Sequence, residues 1–418
     1  MKKKNTLRVC FFTSHPARAG SGSERLMYDT AAALIARGHD ARVYVMNSHL
    51  GSNPPFYEGQ IPVLPFEKKG EEFFRKITGG NDLIFPSTAI MRFHPWIGSA
   101  DIWHFNNIHG HFVSIPLLGL WSWTKKIVIS PVDQYLTTGH CPYAIECNKN
   151  LNGCGNCPRL NEPWPGISRD STHFLWLVKR SFLRLSRLNM FFHTHFLASY
   201  YQQSIKNDGF PVIHYGVDIL RYRPMKKREC AQSLGIEEPK GFTIGLLHSF
   251  ILDPRKGFLP VIEQLGSLAE RFPERIALLV VGHNSEEVRK VIPAGLSLIT
   301  LPFLKDPRDF ARALNLCDVL LYPTVAENLS LTCLYSLACG VPVISYDVGG
   351  QGEAISHGKN GFLVKINDGR GILGALTRLA EDPEFHRRMS EGARNTAEKQ
   401  FDFDRYIDEL LVYYQSIL

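Results

Sequence analysis

Arg255 and Lys256 stand side by side ahead of Gly257, where an apolar-periodic helix is predicted to run on to Arg271. The positive end of a helix dipole disfavours cations unless an anion sits there too, so the pair predicts a diphosphate clamp. Further along, Glu327 lies in a short polar loop between an apolar run at 319–322 and a periodic segment at 329–338. That segment ends at Gly340 and is followed by a second apolar run at 343–346, which makes a strand, loop, helix, strand unit. The free N–H groups at such a helix start favour an anion. A carboxylate beside that anion is repelled by it and needs another task. Glu327 can accept hydrogen bonds from sugar hydroxyls, or form an N-capping pair with Asn328.

Two further groups of residues have chemical potential. A strand predicted over 101–105 runs into Asn106, Asn107, His109 and His111. Histidines at a strand end bind substrate, move a proton, or are simply solvated. Cys141, Cys147, Cys154 and Cys157 follow within one polar loop, with His140 just ahead and a Cys-x-x-Cys at the end. They could converge on one tetrahedral ion, and a long loop of low apolar content would otherwise cost much ordering entropy. A structural zinc, with His140 as a substitute ligand, is one reading; a loop of unbonded thiols is the other. The spacing is not that of a standard zinc finger.

These groups need a scaffold to position them. The chain has 418 residues, suited to two domains, and its 44% apolar and 21% charged content is that of a soluble globular protein. The net charge of +7 suits an anionic small ligand or a lipid surface, and no nucleic-acid-binding motif accompanies it. A strand over 7–13, a loop with Gly20, Ser21, Gly22 and Ser23, and a helix ending at Gly38 form a first β-α unit of a doubly wound domain. Periodicity is poor over 47–91, read as a variable region of short elements. Strands are predicted at 126–130, 191–194, 212–215, 243–247, 276–281 and 296–301. The helix over 172–188 carries Trp176, Lys179, Arg180, Phe182, Arg184 and Arg187 among leucines. It could rest on anionic headgroups, or be a core helix with one solvated basic face. Residues 404–418 form an amphipathic helix, and Asp402-Phe403-Asp404 reads as its cap rather than as a metal motif. No signal peptide is expected after the basic residues 1–4, and the apolar stretch 112–123 is too short to span a bilayer. A cytoplasmic protein is expected, peripheral at the inner face of a membrane if it touches one, with its nine cysteines as thiols or metal ligands.

The stretch 322–350 resembles the signature of the family-4 retaining glycosyltransferases of the GT-B fold. Glu327, Ala338, Cys339, Gly340, Pro342, Val343, Gly349 and Gly350 match that pattern, and Tyr335 replaces its second Glu. Gly38-His39, Arg255-Lys256-Gly257 and Gly216-Val217-Asp218 match it elsewhere, with Tyr215 where relatives usually have Asn. The Cys-rich loop, ending Cys154-Gly155-Asn156-Cys157-Pro158, is similar to one in a polysaccharide-building branch. The resemblance implies an α/β GT-B fold: two Rossmann-like domains facing across a cleft, with a last helix crossing back to the first. The expected bounds are 1–215 for the acceptor-side domain with its Cys-rich loop at 140–158, 216–400 for the nucleotide-sugar domain, and 401–418 for the crossover helix.

By the same resemblance Lys256, with Arg255, holds the donor diphosphate, and Gly22 approaches it from the first domain. Glu327 orients the donor sugar, with Asn328, Leu329, Ser330 and Leu331 alongside through their backbone. Tyr335 stands at the ribose position. Asp133 matches the Asp of a His-Asp pair whose His is here Val132, so the expected catalytic set is Glu327, His109 and Asp133. The implied activity moves a sugar, with retention, from a nucleotide-sugar donor to a glycan, lipid-linked or other acceptor. No cofactor is needed for catalysis, and the four cysteines hold any structural zinc. Val132, Tyr335, Tyr215 and a missing Arg fit an alternative, a degenerate GT-B subunit of a glycan-assembly complex. A nucleotide-sugar epimerase would reuse the same cleft, but the Glu327 stretch lends it no support.

Overall fold

The computed structural model describes residues 6–15, 22–46, 58–64, 67–80, 82–110, 112–145, 147–160, 169–206, 209–293 and 295–418. The basic residues 1–4, Gly20, Ser21 and His111 lie outside them, as does all of 47–57. The chain divides into two compact units, one of Met1–Ile213 with Ile407–Leu418 and one of His214–Tyr406.

The first unit is built on strands β1 (Arg8–Thr13), β2 (Asp40–Val45), β3 (Glu58–Gln60), β4 (Ile102–Phe105), β5 (Lys126–Ile129) and β6 (Leu188–Met190). They pair in parallel in the order β3-β2-β1-β4-β5-β6. Five of the six residues of β1 are buried, as the unbroken run Val9, Cys10, Phe11, Phe12, Thr13 requires of a strand covered on both faces. Its core is aromatic: Phe12 stacks on Phe105 with ring centres 4.6 Å apart and meets Trp103 edge-on at 5.7 Å. The segments 191–194 and 212–215, predicted as strands, contribute only an isolated bridge, Phe192 to Val212. The strand proper is displaced to Leu188–Met190, and His195 already begins a helix capped by Thr194.

The second unit repeats the topology with β7 (Phe242–Phe250), β8 (Ile276–His283), β9 (Ser297–Leu301), β10 (Val319–Tyr322), β11 (Val343–Tyr346) and β12 (Gly361–Val364). Its parallel order is β12-β11-β10-β7-β8-β9. Counted along each unit, strand one pairs with strand four in both sheets. The crevice at that reversal, outside the carboxyl ends of β1 and β4 or of β7 and β10, is where such sheets bind ligands.

The final helix, Phe403–Ile417, is capped as expected: Asp402 Oδ1 accepts from the N–H groups of Asp404 (2.7 Å) and Arg405 (3.2 Å). From residue 407 onward it belongs to the first unit. There Tyr414 OH lies 2.6 Å from His104 Nδ1, and His104 Nε2 lies 2.9 Å from Ser130 Oγ. One buried imidazole thus joins β4, the end of β5 and the last helix. Burial, with His193 adding to it, pulls the His104 pKa down to about 3, so the ring is neutral. Among the described residues no helix is long and apolar enough to cross a membrane.

Candidate active site

In the second unit the crevice groups come from the segments that follow β7, β10 and β11. After β7 the chain makes a 3-10 turn, Pro254–Lys256, capped by Asp253, whose side chain accepts from Arg255 N at 2.9 Å. The long helix starts only at Ile262. Arg255 and Lys256 therefore do not open that helix as predicted; Gly257, at φ +67°, breaks the chain after them. A Cβ at Gly257 would lie 1.8 Å from Pro323 O, so only glycine lets this turn close against the end of β10.

That approach brings Lys256 to Glu327. Lys256 Nζ lies 3.3 Å from Glu327 Oε2 and 3.5 Å from Tyr322 OH, and Tyr322 donates to the same carboxylate oxygen at 3.2 Å. The ion pair is largely buried, with side chains 23% and 15% exposed. Burial, then the Glu327 charge, pushes the Tyr322 phenol well above its ordinary value, so it remains a donor. His248, at the end of β7, packs its ring 4.4 Å from that of Tyr322. Burial, reinforced by Lys256, holds His248 well below the ordinary histidine value and keeps it uncharged. Arg255 is engaged elsewhere: its Nη2 and Nε reach Asp253 Oδ2 and Oδ1 at 2.6 and 3.2 Å.

The loop bearing Glu327 is fixed from below. Ser330 caps the helix Leu331–Ala338, its Oγ accepting from Cys333 N. Ser330 N donates to Oε1 of Gln351, a fully buried amide whose Nε2 faces Ser345 Oγ at 3.4 Å. Gly350 N donates to Asn328 O, and a Cβ on Gly349, at φ +59°, would lie 1.8 Å from Glu327 O. The Gly-Gly pair is thus a backbone brace for Glu327 and Asn328, and Leu329 and Leu331 are buried beside it. Gln351 was not identified from sequence; its place directly after the Gly-Gly pair was the available signal. Tyr335 lies on the same helix with its ring stacked on that of Tyr222, 4.1 Å between centres and 7° between planes.

In the first unit His109, beyond β4, meets Asp133, beyond β5. His109 Nε2 lies 2.7 Å from Asp133 Oδ2, and the Asn107 amide lies 2.7 Å from the same nitrogen. Asp133 Oδ1 accepts from Tyr135 N at 2.9 Å, the Asp133 carbonyl accepts from Tyr201 OH, and Tyr135 OH donates to Asp82 at 2.6 Å. Burial pulls the His109 pKa down, but the charge and hydrogen bond of Asp133, helped by Asp82, outweigh it and raise the value above normal. The residue that pairs with Asp133 is therefore not its neighbour Val132 but a histidine from the next strand. Asn106, unassigned from sequence, accepts from Ser130 Oγ at 2.8 Å and donates to Ser23 O at 3.3 Å. It links β4 to the first turn of the helix Gly22–Ala36, where Gly22 is exposed.

The four loop cysteines are free. Cys154 Sγ accepts from Gly139 N at 3.1 Å and Cys157 Sγ lies 3.3 Å from His140 Nε2, so the loop's end returns to its start. Thiols and an imidazole are a donor set that suits zinc. Among the described residues, however, His140 and these cysteines do not bring three ligand atoms within 4.8 Å of one another, wider than a tetrahedral ion needs.

Residues 245–396 match the family model of the glycosyl transferases group 1. This match falls inside the second unit. The chain is 34% identical to N-acetyl-alpha-D-glucosaminyl L-malate synthase of Bacillus anthracis over 116 residues, 28% of this chain and 30% of that protein. It is 28% identical to D-inositol 3-phosphate glycosyltransferase of Saccharomonospora viridis over 224 residues, 50% of this chain and 51% of that one. The chain thus spans about a third to a half of the curated relatives it matches. Sucrose-phosphate synthase from Thermosynechococcus elongatus superposes with a TM-score of 0.70 at 16% identity, over 98% of this chain and 99% of that one. Anabaena HepE, solved with UDP-glucose, gives 0.67 at 16% identity, over 98% and 99%. With the two parallel sheets described above, these likenesses give the whole chain the α/β GT-B fold.

Proposed function

We propose that this protein is a glycosyltransferase that moves a sugar from a nucleoside-diphosphate donor to a glycan, lipid-linked or other hydroxyl acceptor, with retention at the anomeric carbon. The observation that carries this reading is the Lys256–Tyr322–Glu327 cluster at the strand reversal of a group 1 domain. A carboxylate and a cation held together there suit a donor with a diphosphate at one end and sugar hydroxyls at the other. On binding, Lys256 turns its charge to the diphosphate, and Glu327, still held by Tyr322, accepts from the sugar. The bond from the anomeric carbon to the diphosphate oxygen breaks with its electron pair leaving on the phosphate. The acceptor oxygen bonds to that carbon and its proton passes to the departing phosphate. Lys256 and the N–H groups following Ser330 stabilise the charge that develops on the leaving group.

In this reading 216–400 serves the donor and 1–215 the acceptor, with His109 and Asp133 as the catalytic polar groups of the first unit. Arg255, tied to Asp253, contributes less than Lys256. The scheme uses no metal, and a zinc drawn in by Cys141, Cys147, Cys154 and Cys157 would be structural. The Tyr335–Tyr222 stack, where the resembled family has a ribose-binding Glu, favours a second reading as a non-catalytic binding subunit.

The test is nucleoside-diphosphate release from a panel of UDP-, GDP-, ADP- and dTDP-sugars, with and without mixed glycan and lipid acceptors, beside Glu327→Gln. Turnover of one donor that the variant loses supports the transferase. Nucleotide binding with no turnover under any condition replaces it with the binding-subunit reading.

A further inference from the structure

The helix Thr172–Leu185 buries Leu175, Trp176 and Phe182 and still leaves other leucines in solvent. Its inward face holds Lys179, completely buried, whose ammonium donates to the carbonyls of Tyr135 (3.0 Å), Thr138 (3.2 Å) and Gly139 (3.1 Å). Its outward stripe carries Leu177 and Leu185, 44% and 71% exposed, with Arg184 between them. The lysine is satisfied by the turn after β5. The neighbouring helix Ile115–Trp121 and the turn after it repeat the pattern, with Leu120 67% and Trp123 55% exposed.

The two exposed sets form one surface. Gly119 packs so closely on the second helix that a Cβ there would lie 2.8 Å from Ser186 Oγ. Arg187 N donates to Ser122 Oγ at 2.9 Å, and the Arg187 guanidinium sits 4.1 Å over the Trp123 ring. Phe93, 77% exposed, extends the surface from the other side through an edge contact with Trp121 at 6.4 Å. A contiguous apolar patch of this kind on a folded domain marks a docking face.

Its charge selects the partner. Residues 102–132 and 171–207 contain no Asp or Glu, yet they hold Lys125, Lys126, Arg180, Arg184 and Arg187. Exposed leucines and a tryptophan flanked by arginines match the boundary between anionic headgroups and acyl chains.

We propose that this face of the first unit docks on an anionic lipid bilayer, with Leu120, Trp123, Leu177 and Leu185 entering the headgroup region and Arg184 and Arg187 pairing with lipid phosphates. This stands apart from the glycosyl-transfer reading, since it uses neither crevice.

Co-sedimentation of the full chain with phosphatidylglycerol-containing and with pure phosphatidylcholine vesicles tests it. Partitioning is expected to be at least about tenfold stronger on the anionic vesicles, and to fall as salt rises. Trp123→Ser with Leu185→Ser, both at exposed positions, should lower it about tenfold while the thermal melt is unchanged. Arg184→Glu with Arg187→Glu should abolish the preference for anionic lipid. Equal binding by either double variant, or equal binding to both vesicle types, overturns the proposal. Absence of vesicle binding together with self-association lost in the Trp123→Ser, Leu185→Ser variant reassigns the face to a second copy of the chain.

Discussion

Strand one meets strand four in both sheets, yet the polar groups at the two reversals are assembled differently. In the second unit Tyr322, Glu327 and the capped helix after Ser330 come from one continuous stretch, and only Lys256 arrives from afar. In the first unit His109 and Asp133 come from the ends of adjacent strands, and the fold sets their 2.7 Å contact. The second arrangement is local and tightly braced by Gly349, Gly350 and Gln351. The first depends on the register of β4 with β5, in which Phe105 pairs with Ile129. A local cluster can be written as a motif, whereas a cluster set by register tolerates moving the histidine to another strand.

The largest effect expected from this contrast is at Lys256. Lys256→Ala should weaken nucleoside-diphosphate binding by roughly ten- to a hundredfold in a calorimetric titration, the scale of a charge-assisted hydrogen bond. Unchanged affinity would remove the diphosphate assignment. Glu327→Gln sharpens the point, because it releases Lys256 from its ion pair. The free nucleoside diphosphate should bind at least as tightly as before while donor turnover drops about a hundredfold or more; a parallel loss of both would mean that Glu327 only supports the loop.

In the first unit, Asp133→Asn should lower the His109 pKa seen by NMR and shift the pH profile of turnover to lower pH. A profile that stays in place would uncouple the two residues from the reaction. The raised His109 pKa also fixes a stability sign. The protonated pair adds stability below the unfolded histidine value of about 6.5, and this is lost as pH rises through the higher folded value. His104 acts in the opposite sense. Its folded pKa is depressed to about 3, so the unfolded chain takes up the proton first and stability falls as pH drops from about 6.5 toward that value.

The smallest effect is expected at the last helix. Tyr414→Phe leaves His104 without its 2.6 Å partner and should cost about 1–2 kcal/mol in chemical denaturation. A shift below a few tenths would show that the contact does not hold the helix.

Several features were legible from residue order alone because their causes are local. The apolar runs at 319–322 and 343–346 are strands within a residue, although the cap of the helix between them is Ser330 and not the Glu327-Asn328 pair. Asp402 caps the last helix as read. The misplaced start of the helix after Lys256 was not legible, because 3-10 turns and an α-helix share their early apolar spacing, and here Gly257 and a second 3-10 turn, Leu259–Val261, come before the helix. The basic residues over 172–188 were read as a solvated face or a lipid contact. Only packing revealed that Lys179 points inward beside Leu175, Trp176 and Phe182 while Leu177 and Leu185 stay exposed, since three backbone carbonyls of a distant turn hold the ammonium.

By itself the sequence determined what short-range chemistry determines: the alternation of strands and helices, the caps, and the motif from Glu327 to Gly350. Tertiary structure decided which groups meet. Lys256 reaches Glu327 because Gly257 lets a turn close on Pro323, and His109 finds Asp133 because two parallel strands end at the same level. Those pairings join residues that are 71 and 24 positions apart, and no local propensity acts over such separations.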